Sequence, residues 1–326
     1  MDISFVVIGY NEAAFLKRCL LSIRNADLNG IKYELIYVDG GSQDNSCLIA
    51  DSMNIDKRLG GEKRRKAAEN RNLGMKAARG RFVQFVDGDM TLHPSWPATA
   101  INFLRSHSNV ASVCGHLKEV NSTTFYKALQ IDWAQAKGAV DFCGGAAMWR
   151  RDVLNKINGF PESVQYGEEP YLCWRIRNEF GYEIHFIDRI MADHNLDYSG
   201  FGDYWRRNVR CGQTYAEIST LCFSTKDRLW LRETISNFFW ASLFIFALML
   251  VLMASFPVRE ITGTLLLMVF FRKTVQFWRR GNSWMVSFRY ATHVYFSKFP
   301  QAYGQLRWYV YRAIKTRKQS YTANLR

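Results

Sequence analysis

The chain opens on Ile3 to Gly9, ISFVVIG, a β-rich apolar run without a charge. A run of that length is too short for a helix and reads as a buried strand. Tyr10-Asn11-Glu12 follows, and from Glu12 to Arg24 the residues Phe15, Leu16, Cys19, Leu20 and Ile23 fall on one helical stripe. Tyr33 to Asp39, YELIYVD, predicts a second strand. Its polar end, Gly40-Gly41-Ser42-Gln43-Asp44, opens another helix with Ser42 or Asp44 as cap. A third run, Phe82 to Val86, stops abruptly at Asp87-Gly88-Asp89. Strand, turn and helix in alternation predict an α/β fold around a doubly wound, mostly parallel sheet.

In such sheets ligands bind beyond the carboxyl ends of the strands. Asp39 and Asp87 both sit at such ends, so they are expected to serve one site. Asp87 and Asp89 point the same way from an extended segment, and Gly88 between them lets the backbone approach a ligand. Two hard oxygen donors there suit a divalent cation, Mg2+ or Mn2+, that takes its remaining ligands from water and phosphate. Acidic residues at an ordinary strand-end turn account for the pair equally well in isolation. The Arg58 to Gly80 segment is basic, and its second half reads as a helix. Lys63, Arg64, Arg65 and Lys66 either meet a diphosphate or form a solvated face. There is neither a Walker pattern nor a Gly-X-Gly-X-X-Gly after the first strand, which disfavours a P-loop ATPase and an ordinary dinucleotide enzyme.

VVIGYNEAAFLKRCLLSI, YVDGGSQD, RNLGMKAARG and FVDGDM, in that order and spacing, resemble a family 2 glycosyltransferase of the GT-A fold over roughly residues 1 to 220. The resemblance implies transfer of a sugar from a nucleotide diphosphate sugar, a UDP- or GDP-sugar, with inversion at the anomeric carbon. It assigns Ile8, Tyr10, Glu12 and Asp39 to the nucleotide, Arg71 to the diphosphate side, and Asp87, Gly88 and Asp89 to ribose and metal, Asp89 being the stronger ligand.

Asp141 to Trp149, DFCGGAAMW, is a small-residue stretch entering a strand. It resembles the family's acceptor-side segment, with Gly144, Gly145 and Trp149 facing the acceptor; a bulge or sheet corner is the structural alternative. Glu168 and Glu169 open the next helix, where acids are favourable in any case, and Pro170 suits its first turn. Here Glu168 resembles the first, acceptor-side residue of the family's Glu-Asp motif. Glu169 falls at the second carboxylate, the general base, with Glu in place of Asp. His194 follows a predicted strand and either completes the metal site or is structural. Asp203 to Glu217 reads as an amphipathic helix whose Arg206, Arg207 and Arg210 resemble an acceptor-side set. Gln305-Leu306-Arg307-Trp308 lacks the Gln-X-X-Arg-Trp spacing of processive synthases.

The net charge of +14 is uneven: no Asp or Glu follows Glu260, while Lys and Arg continue to the end. That asymmetry points to an anionic partner. The seven cysteines, scattered without a Cys-X-X-Cys pair, predict reduced thiols rather than a disulfide framework or zinc site. The chain begins directly with a predicted strand, so no signal peptide is expected. Phe238 to Phe256 is a 19-residue uncharged stretch, enough to cross a bilayer. Ile261 to Phe271 is 11 residues, too short to span unaided. Basic flanks on both outer sides predict a hairpin or re-entrant loop with both flanks cytoplasmic. The expected organisation is a catalytic domain over 1–222, membrane segments over 223–272, and a basic aromatic tail over 273–326 lying on an anionic membrane surface. Lipid rather than nucleic acid is the expected partner of that tail.

Together these features predict a metal-dependent, inverting transferase at a bacterial cytoplasmic membrane, its catalytic domain and both termini inside. The expected acceptor is a lipid-linked sugar of an envelope or exopolysaccharide pathway. A polyprenyl-phosphate sugar synthase is the rival of the same class. A nucleotidyltransferase and a non-catalytic membrane adaptor are rivals of other classes.

Overall fold

The computed structural model describes residues 1–323 apart from 29 and 197, with side chains as far as 315. The last three positions of the basic tail lie outside the described residues. The elements run β1 (Ile3–Gly9), α1 (Leu16–Arg24), β2 (Tyr33–Asp39), α2 (Ser46–Ser52), β3 (Lys57–Gly60), α3 (Ala67–Ala77), β4 (Phe82–Asp87), β5 (Thr91–Leu92), α4 (Trp96–Ser106) and β6 (Val110–Glu119). They continue with α5 (Thr124–Gln130), β7 (Gly138–Ala139), β8 (Met148–Arg150), α6 (Arg151–Lys156), α7 (Glu168–Phe180), β9 (Glu183–His194), α8 (Phe201–Leu221), α9 (Leu231–Met253), α10 (Val258–Trp278), α11 (Trp284–Phe296) and α12 (Lys298–Ala323). The chain gathers into two compact units. The first comprises Met1–Asn121, Trp133–Val164 and Glu168–Leu196; the second comprises Ser122–Asp132, Gln165–Gly167 and Asp197–Arg326.

The first unit is built on one sheet of strand order β3-β2-β1-β4-β8-β6-β9-β5, with β7 beside β9. Strands β1 to β4 pair in parallel, as the strand–helix alternation predicts. The sheet as a whole is mixed, because β8 enters antiparallel between β4 and β6, and β5 and β7 run antiparallel to β9. Parallel pairing returns between β6 and β9, which are linked through helices. Both faces of the central strands are covered, so β1 is buried at every position and Phe5, Phe82, Phe85 and Phe160 are fully enclosed. Gln84, inside the apolar run of β4, is also buried and accepts the Trp96 indole N–H at 2.9 Å. A buried polar group is tolerated when paired in this way.

The helix predicted from Glu12 starts instead at Leu16. The amides of Asn11, Glu12 and Ala13 are taken by Ser42 Oγ, Ser46 Oγ and Asp44 Oδ2 at 2.8–2.9 Å, which holds this stretch as a turn. Asn11 accordingly adopts a left-handed φ of 58°. Ser42 and Asp44 therefore stitch the ends of β1 and β2 together, and Asp44 still accepts the Ser46 N–H at the start of α2.

The second unit is helical. Helices α8 and α12 approach so closely that a Cβ on Gly212 would fall 2.0 Å from the Gln301 carbonyl oxygen, and one on Gly304 2.1 Å from that of Val209. Asp132 accepts the Tyr290 hydroxyl at 2.6 Å and pairs with His293 Nε2 at 3.0 Å. Helix α9 is long and apolar enough to cross a membrane. It exposes Phe239, Ile245, Phe246, Leu248 and Leu252. The short uncharged run from Ile261 sits inside the 21-residue α10, whose length is about 31 Å at ~1.5 Å per residue.

Candidate active site

Strands β1 and β4 lie side by side with Ile8 opposite Asp87, which brings the ends of two distant segments together. There they line a cavity of about 270 Å3 with Ile8, Tyr10, Glu12, Asp87, Gly88 and Asp89 on its wall. Six of the residues singled out from the sequence thus share one cavity. A Cβ on Gly88 would come within 3.1 Å of the Glu12 side chain, so glycine is what lets these two loops close up.

The acids crowd one another. Glu12 is pushed up to about 7, first by burial and then by the charges of Asp89, Asp87 and Asp44. Carboxylates that raise one another in this way are relieved by a cation. His194, at the end of β9, places Nε2 3.7 Å from Asp89 Oδ2 and packs edge-on against Trp133 at 5.4 Å. Oxygen donors plus one imidazole fit Mn2+ or Mg2+, so the residues present suit the implied metal.

On the other wall stand Arg64, Arg65 and Asn70. Arg64 stacks on the Tyr10 ring at 3.5 Å. The basic run before α3 thus does bring two guanidinium groups to the cavity, whereas Asn70 carried no sequence signal beyond its place on that helix.

Arg71, expected on the diphosphate side, stands beside Asp87. It is buried, and it donates from Nη1 to Glu168 Oε1 at 2.8 Å and from Nη2 to Asp87 Oδ1 at 3.0 Å. Paired with two carboxylates, it braces the acids of this site. Gly145 is required beside it, since a Cβ there would fall 2.3 Å from Arg71 Nη2. Gly144 adopts φ +81°, the left-handed region that side chains avoid. Asp39, expected at the nucleotide, is fully buried and accepts from Tyr37 Oη, Gly41 N and Ser42 N at 2.7–3.0 Å. These bonds hold its pKa below the ordinary value against the opposing effect of burial. Its carboxylate shapes the loop after β2 and is absent from the cavity wall.

Trp149, expected on the acceptor side, is wholly enclosed and packed edge-on against Phe160 at 6.1 Å. Arg150 is buried and donates to the carbonyls of Leu104, His107 and Val110, closing the end of α4. Glu169 is buried. Its Oε1 accepts from Cys143 N at 2.8 Å, Cys143 Sγ at 3.3 Å and Cys173 Sγ at 3.0 Å. Burial raises its pKa, and the Cys173 and Cys143 donors oppose that rise. The second oxygen, Oε2, takes none of these bonds. Arg206, Arg207 and Arg210 lie on α8 in the second unit.

Known proteins resemble this one in sequence and fold. Residues 4–157 match the model of Glycosyl transferase family 2. Glycosyltransferase AglE of Haloferax volcanii is 25% identical over 250 residues, 73% of this chain and 79% of that protein. The putative glycosyltransferase EpsH of Bacillus subtilis is 29% identical over 136 residues, 41% of this chain but only 38% of that protein. The mannosyltransferase PcManGT of Pyrobaculum calidifontis, solved with GDP-Man and Mn2+, superimposes with a TM-score of 0.70 at 16% identity, covering 94% of this chain and 87% of that one. That likeness establishes the GT-A architecture. Residues 4–157 therefore carry a family 2 glycosyltransferase domain, and the chain is a glycosyltransferase enzyme that draws on a nucleotide sugar.

Proposed function

We propose that the protein moves a sugar from a nucleotide diphosphate sugar to a lipid-linked acceptor at a membrane, by direct displacement with inversion. The observation that carries this reading is the meeting of Glu12, Asp87 and Asp89 with Arg64 and Arg65 around one cavity at the strand ends. Tyr10 under Arg64 offers a flat face to the nucleobase, and Glu12 can accept from the ribose hydroxyls. Asp89, Asp87 and His194 would hold a divalent cation, which when bound neutralises charge on the leaving diphosphate. GDP-Man and Mn2+ in the Pyrobaculum enzyme support that donor and metal class. Arg64 and Arg65 add fixed positive charge where the diphosphate gathers negative charge.

Glu169 is the general base. Burial raises its pKa above the ordinary glutamate value, which makes it a stronger proton acceptor when ionised. With Oε1 held by one amide and two thiols, Oε2 is the oxygen left to take the acceptor hydroxyl proton. The burial of Glu169 also favours a second reading, in which a polyprenyl phosphate is the acceptor, because a phosphate nucleophile needs no base. Helix α9 and the basic, aromatic α12 support attachment to the membrane, with α9 and α10 as a hairpin that keeps both flanks on the cytoplasmic side.

The test is nucleoside diphosphate release by detergent-purified protein, with UDP- and GDP-sugars, Mn2+ or Mg2+, and a bacterial lipid extract. Lipid-dependent release that disappears in Asp89→Ala supports the proposal. Pyrophosphate release would instead identify a nucleotidyltransferase, and no release with folded, donor-binding protein would count against transfer to lipid. Glu169→Gln separates the two acceptors: it abolishes transfer to a hydroxyl and spares transfer to a phosphate.

A further inference from the structure

The second unit contains a cavity of about 500 Å3 that no part of the donor site explains. One wall is α8, which presents Trp205, Arg206, Val209, Arg210 and Gln213. These positions recur at the three- and four-residue spacing of a single helix face. The facing wall is α12, with Tyr303, Arg307, Trp308 and Tyr311 at the same spacing. Gln165 and Tyr166 close one end, and their amides are tied to Glu217 on α8 at 3.0–3.1 Å. The two walls are held together by the glycine contacts at Gly212 and Gly304, so the cavity is preformed and does not depend on a ligand to assemble it.

Its chemistry is lopsided. Three guanidinium groups, Arg206, Arg210 and Arg307, line it with no Asp or Glu among the lining residues. Arg206 is shared with Asp203, an exposed pair one turn back along α8 that contributes little in water. Bringing three cations onto the walls of one concave surface is unfavourable unless an anion meets them there. Guanidinium forks match phosphate oxygens, and the rings of Trp205, Tyr303 and Tyr311 beside them offer flat apolar faces to a sugar or a hydrocarbon chain.

We infer that this cavity binds the phosphate-ester head of an amphiphilic substrate, the (di)phosphate of a polyprenyl-linked acceptor, through Arg210 and Arg307 with Arg206 at the rim. This rests on the lipid-linked acceptor of the preceding section and supplies the anion-binding site that such an acceptor requires. Arg207, expected in the same set, does not line the cavity and takes no part in it. Arg307 and the α12 aromatics enter it from the segment expected only to lie on lipid.

The test uses the detergent-solubilised full chain and follows quenching of tryptophan fluorescence, since Trp205 and Trp308 line the cavity. The probes are geranylgeranyl diphosphate, inorganic pyrophosphate, and phosphatidylglycerol presented in mixed micelles. Geranylgeranyl diphosphate should bind, and Arg210→Gln and Arg307→Gln should each weaken it roughly tenfold or more. Lys315→Gln, which removes the same charge from α12 outside the cavity, should leave binding unchanged. Wild-type affinity in both arginine variants would overturn the inference. So would equal, arginine-dependent binding of phosphatidylglycerol, which would make the cavity a bilayer headgroup site, or of inorganic pyrophosphate, which would make it a simple anion site. The same variants separate this inference from the transferase reading. If lipid-dependent nucleoside diphosphate release is intact in Arg210→Gln and Arg307→Gln, the inference fails and the transferase stands. If geranylgeranyl diphosphate binds as described but no lipid-dependent release occurs in the wild type, the transferase reading fails and the site stands.

Discussion

Cys173 donates its thiol hydrogen to Glu169 across 3.0 Å, one helical turn back along α7. The Cys143 thiol and amide converge on the same oxygen, so a buried carboxylate is held by two thiols whose own pKa values burial pushes up. The thiol bonds favour the charged form of Glu169, while burial disfavours it.

Removing one thiol should therefore move the pH profile. Cys173→Ala takes away a bond that lowers the Glu169 pKa, so the pKa rises further and the base is protonated over a wider range. The acid limb of kcat/KM should shift to higher pH, with activity recovering on the alkaline plateau, and Cys173→Ser should restore it. An unchanged acid limb would show that Glu169 is not the group that titrates.

Glu169→Gln should abolish transfer to a hydroxyl acceptor while donor affinity, measured by calorimetry, stays within about threefold of wild type. Stability should not fall with it. A carboxyl whose folded pKa is raised binds its proton more tightly in the folded state. Ionised Glu169 therefore costs stability above the ordinary glutamate range, and the cost disappears as pH falls below it. A neutral amide escapes this cost, so Tm near neutral pH should hold or rise. A clear drop in Tm would assign Glu169 a structural role.

Arg71 can be told apart from a diphosphate ligand by stability. Arg71→Ala leaves Asp87 and Glu168 without their shared cation and should cost about 3 kcal/mol in urea unfolding, the scale of a broken buried pair. Gly145→Ala should act in the same direction and less strongly, because the added methyl displaces the guanidinium. A raised donor KM with unchanged stability in Arg71→Ala would return Arg71 to the substrate.

Metal binding should follow Asp89 and His194. Titration of Mn2+, observed by its EPR signal, should show binding abolished in Asp89→Ala and weakened about tenfold in His194→Ala. Wild-type Mn2+ affinity in His194→Ala would leave the imidazole a packing partner of Trp133.

Much of the catalytic unit could be read from the chain, because its information is local. The apolar runs at Ile3, Tyr33 and Phe82 can only be buried strands, and each ends in residues that the sheet must deliver to the same edge. That placed Asp39 and Asp87 at one edge, and the resemblance to family 2 glycosyltransferases added Ile8, Tyr10, Glu12 and Asp89. The same local pattern marked the uncharged stretch from Phe238, which lies in α9 as far as Met253. What the chain did not reveal shares one cause: side-chain direction and burial are set by residues distant in sequence. Arg71 and Asp39 carry the right chemistry at the right strand or helix end, yet Glu168, Asp87 and the loop after β2 consume it. Trp149 and Arg150 turn inward because β8 enters antiparallel between β4 and β6. Likewise, only helix packing through Gly212 and Gly304 brings Arg307 opposite Arg210. Hydrophobic periodicity and motif order determine which elements form and which strand ends carry chemistry, since these depend on neighbours within a few residues. Which charges remain open to a ligand is decided by tertiary contacts, because a salt bridge forms between groups that the chain brings together only when it folds.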